Sequence, residues 1–415
     1  MSINQMIKTF QAAMDNYIIN VPMADGTTSS PEVDINGKKY INFISNSYMG
    51  LGNHPEVKEA IKQAVDIYGM GSGASRLVGG TLLPHLELEN EIASLKDPTG
   101  KKKAIIFSTG FLANSGAIPA IMSPLNIPSF HVAIEKIWKN GEIYSDHLNH
   151  RCIIDGISLA VRQCPEKIKV IRYEHNNAAH LEKLLSKSQA ERKLIITDGV
   201  FSLNGHIAPL DKLVEIAQHY NATIYVDDAH ATGVLGDNGG GTGDHYHLSE
   251  KIDIQMGTFS KAIGGEGGFI VADEHLIEYL RCQCSTYIFQ TAMPPCIASG
   301  LIASLKIIKN HFGKKLRMTL KENADYLRQQ LKSIGYNTLG SNTQIIPIFI
   351  GDKEKAALFA SSLKDACILS FAYYYPAVPK NESIIRVNLM AQHTKDHIHH
   401  FLNIMEDLGK KFRLI

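Results

Sequence analysis

From residue 104 onward, short apolar runs alternate with polar turns and helical stretches. The runs fall at 104–107, 168–173, 193–197, 223–226, 252–256 and 268–271. Parallel strands cannot be joined by a tight hairpin and need a crossover, usually a helix. The alternation therefore dictates an α/β fold: a mainly parallel sheet covered by helices on both faces. At 415 residues the chain exceeds one typical core. The expected division is an N-terminal segment over 1–50, a large domain over 51–295 and a smaller α+β domain over 296–415. That last part opens with a long helical stretch at about 296–334 and resumes with an apolar run at 345–350.

Ahead of the alternating region, Met6, Phe10, Met14 and Tyr17 share one face of a helix. A hairpin follows with its turn at Asn36-Gly37, then a helix from Pro55 to about Tyr68. Residues 124–145, with Pro124 and Pro128, interrupt the rhythm and read as an insertion with its own short helix. A formal net charge of +1 gives no electrostatic case for nucleic acid or an anionic membrane. The six cysteines have neither disulfide-framework nor metal-ligand spacing, which fits a reducing compartment. The start carries no secretory pattern and no window has the apolar length of a membrane span, so a cytoplasmic location is expected.

The chemistry-bearing residues gather at the ends of the predicted strands, where open α/β sheets bind ligands. In Gly257-Thr-Phe-Ser-Lys-Ala-Ile-Gly-Gly-Glu-Gly-Gly-Phe269, Lys261 lies between two hydroxyls and four glycines. A desolvated lysine forms a Schiff base with a carbonyl, and hydroxyls with bare backbone suit an anion. The same window also suits a surface lysine beside a glycine loop. Ser108-Thr-Gly-Phe-Leu-Ala-Asn114 opens a helix whose first amides attract phosphate. Asp227 ends a strand with His230 three residues on. An acid there caps the next helix, or it pairs with a protonated pyridine nitrogen while the histidine reaches a ring oxygen. Asn149-His150 and Asp198-Gly-Val-Phe-Ser202 follow two further strands, and His150 alone also suits a purely structural role.

In order, Ser108-Thr-Gly-Phe111, Ser145-Asp-His-Leu-Asn-His150, Thr197-Asp-Gly-Val-Phe-Ser202, Val226-Asp-Asp-Ala-His230 and Thr258-Phe-Ser-Lys261 resemble the α-oxoamine synthase family of fold-type I pyridoxal-phosphate enzymes. The resemblance runs from about Asn42 to the C-terminal helix. The family includes 8-amino-7-oxononanoate synthase, 2-amino-3-ketobutyrate CoA ligase, serine palmitoyltransferase and 5-aminolevulinate synthase. Gly73-Ala-Ser-Arg76 and Tyr375-Pro-Ala-Val-Pro-Lys380 are similar to the ligase and palmitoyltransferase branches.

The resemblance implies a fold-type I transferase with a seven-stranded, mainly parallel sheet sandwiched by helices and a smaller α+β C-terminal domain. It implies pyridoxal 5'-phosphate as cofactor and Lys261 as its Schiff-base lysine. Asp227 would pair with the ring nitrogen, His230 with the ring oxygen near Ser202, and His150 would stack on the ring. Gly110, Phe111, Thr258 and Ser260 would hold the phosphate, with Thr291 reaching that of a neighbouring subunit in a homodimer. Arg386, with Asn46, would grip an amino acid's carboxylate. The implied reaction condenses a small amino acid with an acyl-CoA or acyl carrier protein thioester, usually with loss of carbon dioxide. A fold-type I aminotransferase or lyase would use the same Asp227, Lys261 and Arg386. Asn149-His150, the 198–202 motif and the 375–380 segment favour the synthase. A catalytically idle partner subunit is the remaining alternative, and the presence of Lys261 and Asp227 argues against it. Departures from the pattern are Arg151-Cys152, where Ala-Ser is common, Ala292 in place of a hydroxyl, and Ser285 near a frequent arginine.

Overall fold

The computed structural model describes residues 2–14, 24–123 and 139–415. A helix covers Ile3–Met14; Tyr17, expected on its apolar face, lies outside the described residues. Strands β1 (Glu32–Ile35) and β2 (Lys38–Asn42) form the expected hairpin. Its two turn residues, Asn36 (φ 52°) and Gly37 (φ 72°), are both left-handed, as a tight turn matching the strand twist requires. The next helix runs Pro55–Tyr68, with proline at its first position, where no amide hydrogen is needed.

The central sheet contains β3 (Lys102–Phe107), β4 (Gly141–Asp146), β5 (Ile168–Tyr173), β6 (Arg192–Asp198), β7 (Thr223–Asp227), β8 (Ile254–Thr258) and β9 (Gly268–Asp273). Their spatial order is β3-β9-β8-β7-β6-β4-β5. Only β9 runs antiparallel to its neighbours. On one face Phe107, Met256 and Ile270 pack with Ala113 and Ile118 of the Gly110–Met122 helix and Ile153 of the Arg151–Gln163 helix. On the other, Ala104 and Ile106 meet Leu88 and Ile92, while Ile195 and Val226 meet Leu213 and Val214. Full burial of each Val, Leu, Ile, Phe or Met among them stabilises by about 1.5–3 kcal/mol, which makes two covered faces the stable arrangement. The register sets Asp198 beside Asp227, and Asp227 beside Met256, at the carboxyl ends of β6, β7 and β8.

A second sheet orders β10 (Ile345–Gly351), β13 (Ser383–Asn388) and β12 (Phe371–Tyr373), all antiparallel. Between them in sequence, β11 (Ile368–Leu369) pairs in parallel with β2. The Asn388 amide also donates to Phe43 O at 2.8 Å. The N-terminal hairpin is thus stitched to the C-terminal strands. Among the described residues no helix is long and apolar enough to cross a membrane.

Three expectations need correction. β4 occupies the end of the stretch assigned to an insertion at 124–145. Its polar residues hid it: Glu142, Ser145 and Asp146 break the apolar run. Their partners include residues outside the strand: Ser188 Oγ donates to Glu142 at 2.6 Å and Asn149 Nδ2 to Ser145 Oγ at 2.9 Å. Residues 124–138, including most of the short helix expected there, lie outside the described residues. The stretch at 296–334 is two helices, Pro295–Lys309 and His311–Ile334. Asn310 breaks it with an extended backbone, and its side chain accepts from the Gly313 amide at 3.0 Å. The strand expected at 252–256 begins and ends two residues later, which carries Thr258 to its very end.

Candidate active site

The carboxyl edge of the central sheet supplies one half of the site and the C-terminal strands the other. Thr109, just past β3, caps the Gly110–Met122 helix by accepting from the Leu112 amide at 3.1 Å. The amides of Gly110 and Phe111 lead that helix, where no intrahelical carbonyl is available to them. The backbone here is tightly nested. A Cβ on Gly268 would stand 2.6 Å from both Gly110 Cα and Thr109 O, and one on Gly110 would stand 3.0 Å from Thr258 Cβ. Thr258 donates to Gly267 O at 2.7 Å and lies 2.8 Å from Ser260 Oγ. Amides, hydroxyls and bare glycine together form an anion cradle.

Deeper in, Asp227 is 2 % exposed. Its Oδ2 accepts from Asn114 Nδ2 at 2.6 Å and its Oδ1 from the Ala229 amide at 3.0 Å. Asp198 lies beside it, taking the His150 amide on Oδ2 at 2.9 Å. Burial first, and the charge of Asp227 second, raise the Asp198 carboxyl well above its ordinary range. His150 heads the Arg151–Gln163 helix, its Nδ1 accepting from the Cys152 amide at 3.3 Å. Desolvation lowers its pKa; Asp227 opposes that and Lys261 adds to it. His230 is buried, with Nδ1 2.7 Å from the Tyr48 hydroxyl. Burial, then the charges of Lys261 and Arg386, hold it well below the usual imidazole range, so it is a neutral ring.

Lys261 follows β8. Desolvation brings its amine down to about 8, with Asp227 pulling it up and Arg386 pushing it further down. Arg386 comes from β13 and is 7 % exposed. Its Nη2 donates to Asn46 Oδ1 at 3.1 Å and its Nη1 to the Tyr373 hydroxyl at 3.3 Å. Its buried Nε has no partner among the described residues. A guanidinium with an unspent donor, facing a lysine amine, suits the carboxylate of an amino acid.

The structure thus brings Lys261, Asp227, His150, His230, Arg386 and Asn46 into one electrostatic neighbourhood, with Gly110, Thr258 and Ser260 forming the adjoining cradle. Phe111 is half exposed on the leading turn of its helix. Ser202 stands in the turn that the Gly205 amide closes onto Phe201 O at 2.9 Å. Thr291 is exposed and forms an isolated bridge with Ser75. Sequence reasoning missed Tyr48, Asn114, Tyr373 and Gln344, whose Nε2 donates to His230 O at 3.0 Å. Tyr48 lies inside the Asn46-Ser-Tyr-Met-Gly-Leu51 stretch, so its proximity to Asn46 was the available signal. Its hydroxyl, pushed up to about 12 by burial, stays protonated.

The donor set matches pyridoxal 5'-phosphate: an amine of depressed pKa for the aldehyde, a fixed carboxylate for the ring nitrogen, and an anion cradle at a helix N-terminus. The aminotransferase class I and II family model matches residues 38–405. An 8-amino-7-oxononanoate synthase of Thermoanaerobacter pseudethanolicus is 39% identical over 390 residues, covering 93% of this chain and 92% of that one. Among solved structures, a Sphingomonas wittichii serine palmitoyltransferase superposes with a TM-score of 0.87 at 29% identity, covering 99% of this chain and 98% of the other. An 8-amino-7-oxononanoate synthase from Francisella tularensis gives a TM-score of 0.72 at 28% identity, over 90% and 98% of the two chains.

Proposed function

The chain belongs to the aminotransferase class I and II family and is a pyridoxal-phosphate-dependent α-oxoamine synthase, and we propose that it joins a small amino acid to an acyl-CoA. A bond forms between the amino acid's α-carbon and the acyl carbon, the C–S bond breaks, and the thiol leaves with a proton. The α-carboxylate departs as carbon dioxide, and the α-carbon takes up a proton in its place. What supports this most is the meeting of Lys261, Asp227 and Arg386, from three separate segments, around one amine of lowered pKa.

When bound, the coenzyme supplies an electron sink for the carbanion at the α-carbon. Lys261 tethers it and, as a free amine, takes and returns the α-proton. Asp227, held on both oxygens, would hold the ring nitrogen, and His230 with Ser202 would hold the ring oxygen. His150 would cover the ring face. Gly110, Phe111, Thr258 and Ser260 would hold the phosphate. Arg386, steadied by Asn46 and Tyr373, binds the carboxylate and so fixes which α-carbon bond stands ready to break.

We further propose a homodimer in which Thr291 reaches a second copy's phosphate. Met70 (88 % exposed), Val78 (83 %) and Phe289 (79 %) support this reading. They flank the segments that join at the Ser75–Thr291 bridge, and apolar exposure on that scale marks an interface. The six unpaired cysteines support a cytoplasmic location. The test is to incubate the protein and coenzyme with glycine, alanine, serine or threonine, plus acyl-CoA or acyl carrier protein, and measure free thiol. Amino-acid-dependent thiol release from the CoA ester is expected. Keto-acid-dependent amino transfer without thiol release would overturn the synthase reading. Sedimentation at the mass of one chain would overturn the dimer.

A further inference from the structure

A chain of hydrogen bonds runs from buried Tyr225 past Asp227 to the exposed His150, and every donor and acceptor along it can be assigned. Tyr225, fully buried, donates its hydroxyl hydrogen to Asn114 Oδ1 at 2.6 Å. That fixes the amide: Oδ1 is the acceptor end and Nδ2 carries two hydrogens. One goes to Asp227 Oδ2 at 2.6 Å and the other to Cys152 Sγ at 3.0 Å. Cys152 is 4 % exposed, and its sulfur also lies 2.8 Å from His150 Nδ1. Nδ1 already accepts the Cys152 amide at 3.3 Å, so it bears a lone pair and no hydrogen. The sulfur accepts from Asn114, so the thiol hydrogen is left to point at Nδ1. A neutral imidazole whose Nδ1 is an acceptor carries its proton on Nε2.

We propose that Cys152, backed by Asn114, is a positioning residue that fixes His150 as its Nε2–H tautomer, so that the site meets a hydrogen-bond donor at that nitrogen. The proposal rests on the reading of His150 as part of the active site. Asn114 does two things at once: it holds the carboxylate of Asp227 and, through the thiol, the ring of His150. The residue on the ring face and the residue at the ring nitrogen are therefore set by one amide. Serine in place of Cys152 keeps a donor for Nδ1, while alanine removes it and leaves the second Asn114 hydrogen unpaired in the interior.

The test uses holoenzyme with histidine labelled with 15N in the ring, the His150 signals being assigned by their loss in His150→Gln. In the parent protein Nδ1 is expected in the unprotonated range and Nε2 in the N–H range. Cys152→Ser keeps that pattern, and Cys152→Ala, which leaves Nδ1 only the longer backbone amide contact at 3.3 Å, shifts both nitrogens part of the way towards a tautomer average. In parallel, kcat/KM falls about tenfold in Cys152→Ala and recovers to within roughly threefold in Cys152→Ser, as expected for a group that orients another. A protonated Nδ1 in the parent, or Cys152→Ala with the parent's spectrum and kinetics, would overturn the proposal. Full turnover in His150→Gln would instead remove His150 from the active site, while the ring spectrum still reported its tautomer.

Discussion

Lys261 is the side chain whose chemistry the fold alters most. Losing water disfavours its ammonium form, and the nearby Arg386 charge does the same. Asp227 restores part of what is lost, and the amine settles at about 8. Below that pH it is mostly ammonium and cannot attack an aldehyde; above it the free amine dominates. Coenzyme uptake by the apoenzyme, followed by absorbance, should therefore speed up about tenfold per pH unit below ~7.5 and level off above ~9. A rate still climbing towards pH 10 would mean an amine with an ordinary pKa. Lys261 and Asp227 were legible as candidates because they lie near predicted strand ends, and Arg386 was legible only through the family resemblance. Asn114, Tyr48 and Gln344 were not. Their meaning lies in contacts with Asp227 and His230, which come from distant segments, and only Tyr48, two residues from Asn46, carried a local signal.

Among the elements, the contact of β9 with the start of the Gly110–Met122 helix depends on two glycines. No rotamer can relieve a Cβ placed 2.6 Å from backbone atoms. Gly268→Ala should push the helix N-terminus away from Thr258 and cost about 1–3 kcal/mol, the usual range for overpacking. A lower melting temperature together with at least tenfold weaker coenzyme binding is expected. Unchanged coenzyme affinity would dissociate this contact from the phosphate cradle. The strands at 168–173 and 223–227 were readable from their β-branched apolar residues, Ile168, Val170 and Ile171 in one and Ile224 and Val226 in the other. β4 was not, since its polar side chains break the apolar run and part of their bonding comes from residues outside the strand. The long C-terminal helical stretch hid its break for a related reason: Asn310 acts as a cap only because its backbone turns extended there.

For the molecule as a whole, the parallel strands bring Asp198, Asp227 and Thr258 to one edge, and the C-terminal strands deliver Arg386 to it. The alternating pattern made the layered sheet legible, and the ordered motifs made the chemistry legible. The pairing of β2 with β11 was not, because a two-residue strand leaves no periodic trace. The ligase-like and palmitoyltransferase-like segments did not fix a branch either, since the relatives at 39% identity are 8-amino-7-oxononanoate synthases while serine palmitoyltransferases superpose at 0.87. What unites these scales is the proposal that the coenzyme is carried on the amine of Lys261, with its ring nitrogen on Asp227. Borohydride reduction of the holoenzyme, followed by digestion and mass spectrometry, tests this directly. The coenzyme-derived mass should appear on the peptide containing Lys261; its absence there, or its presence on another lysine alone, would contradict the assignment.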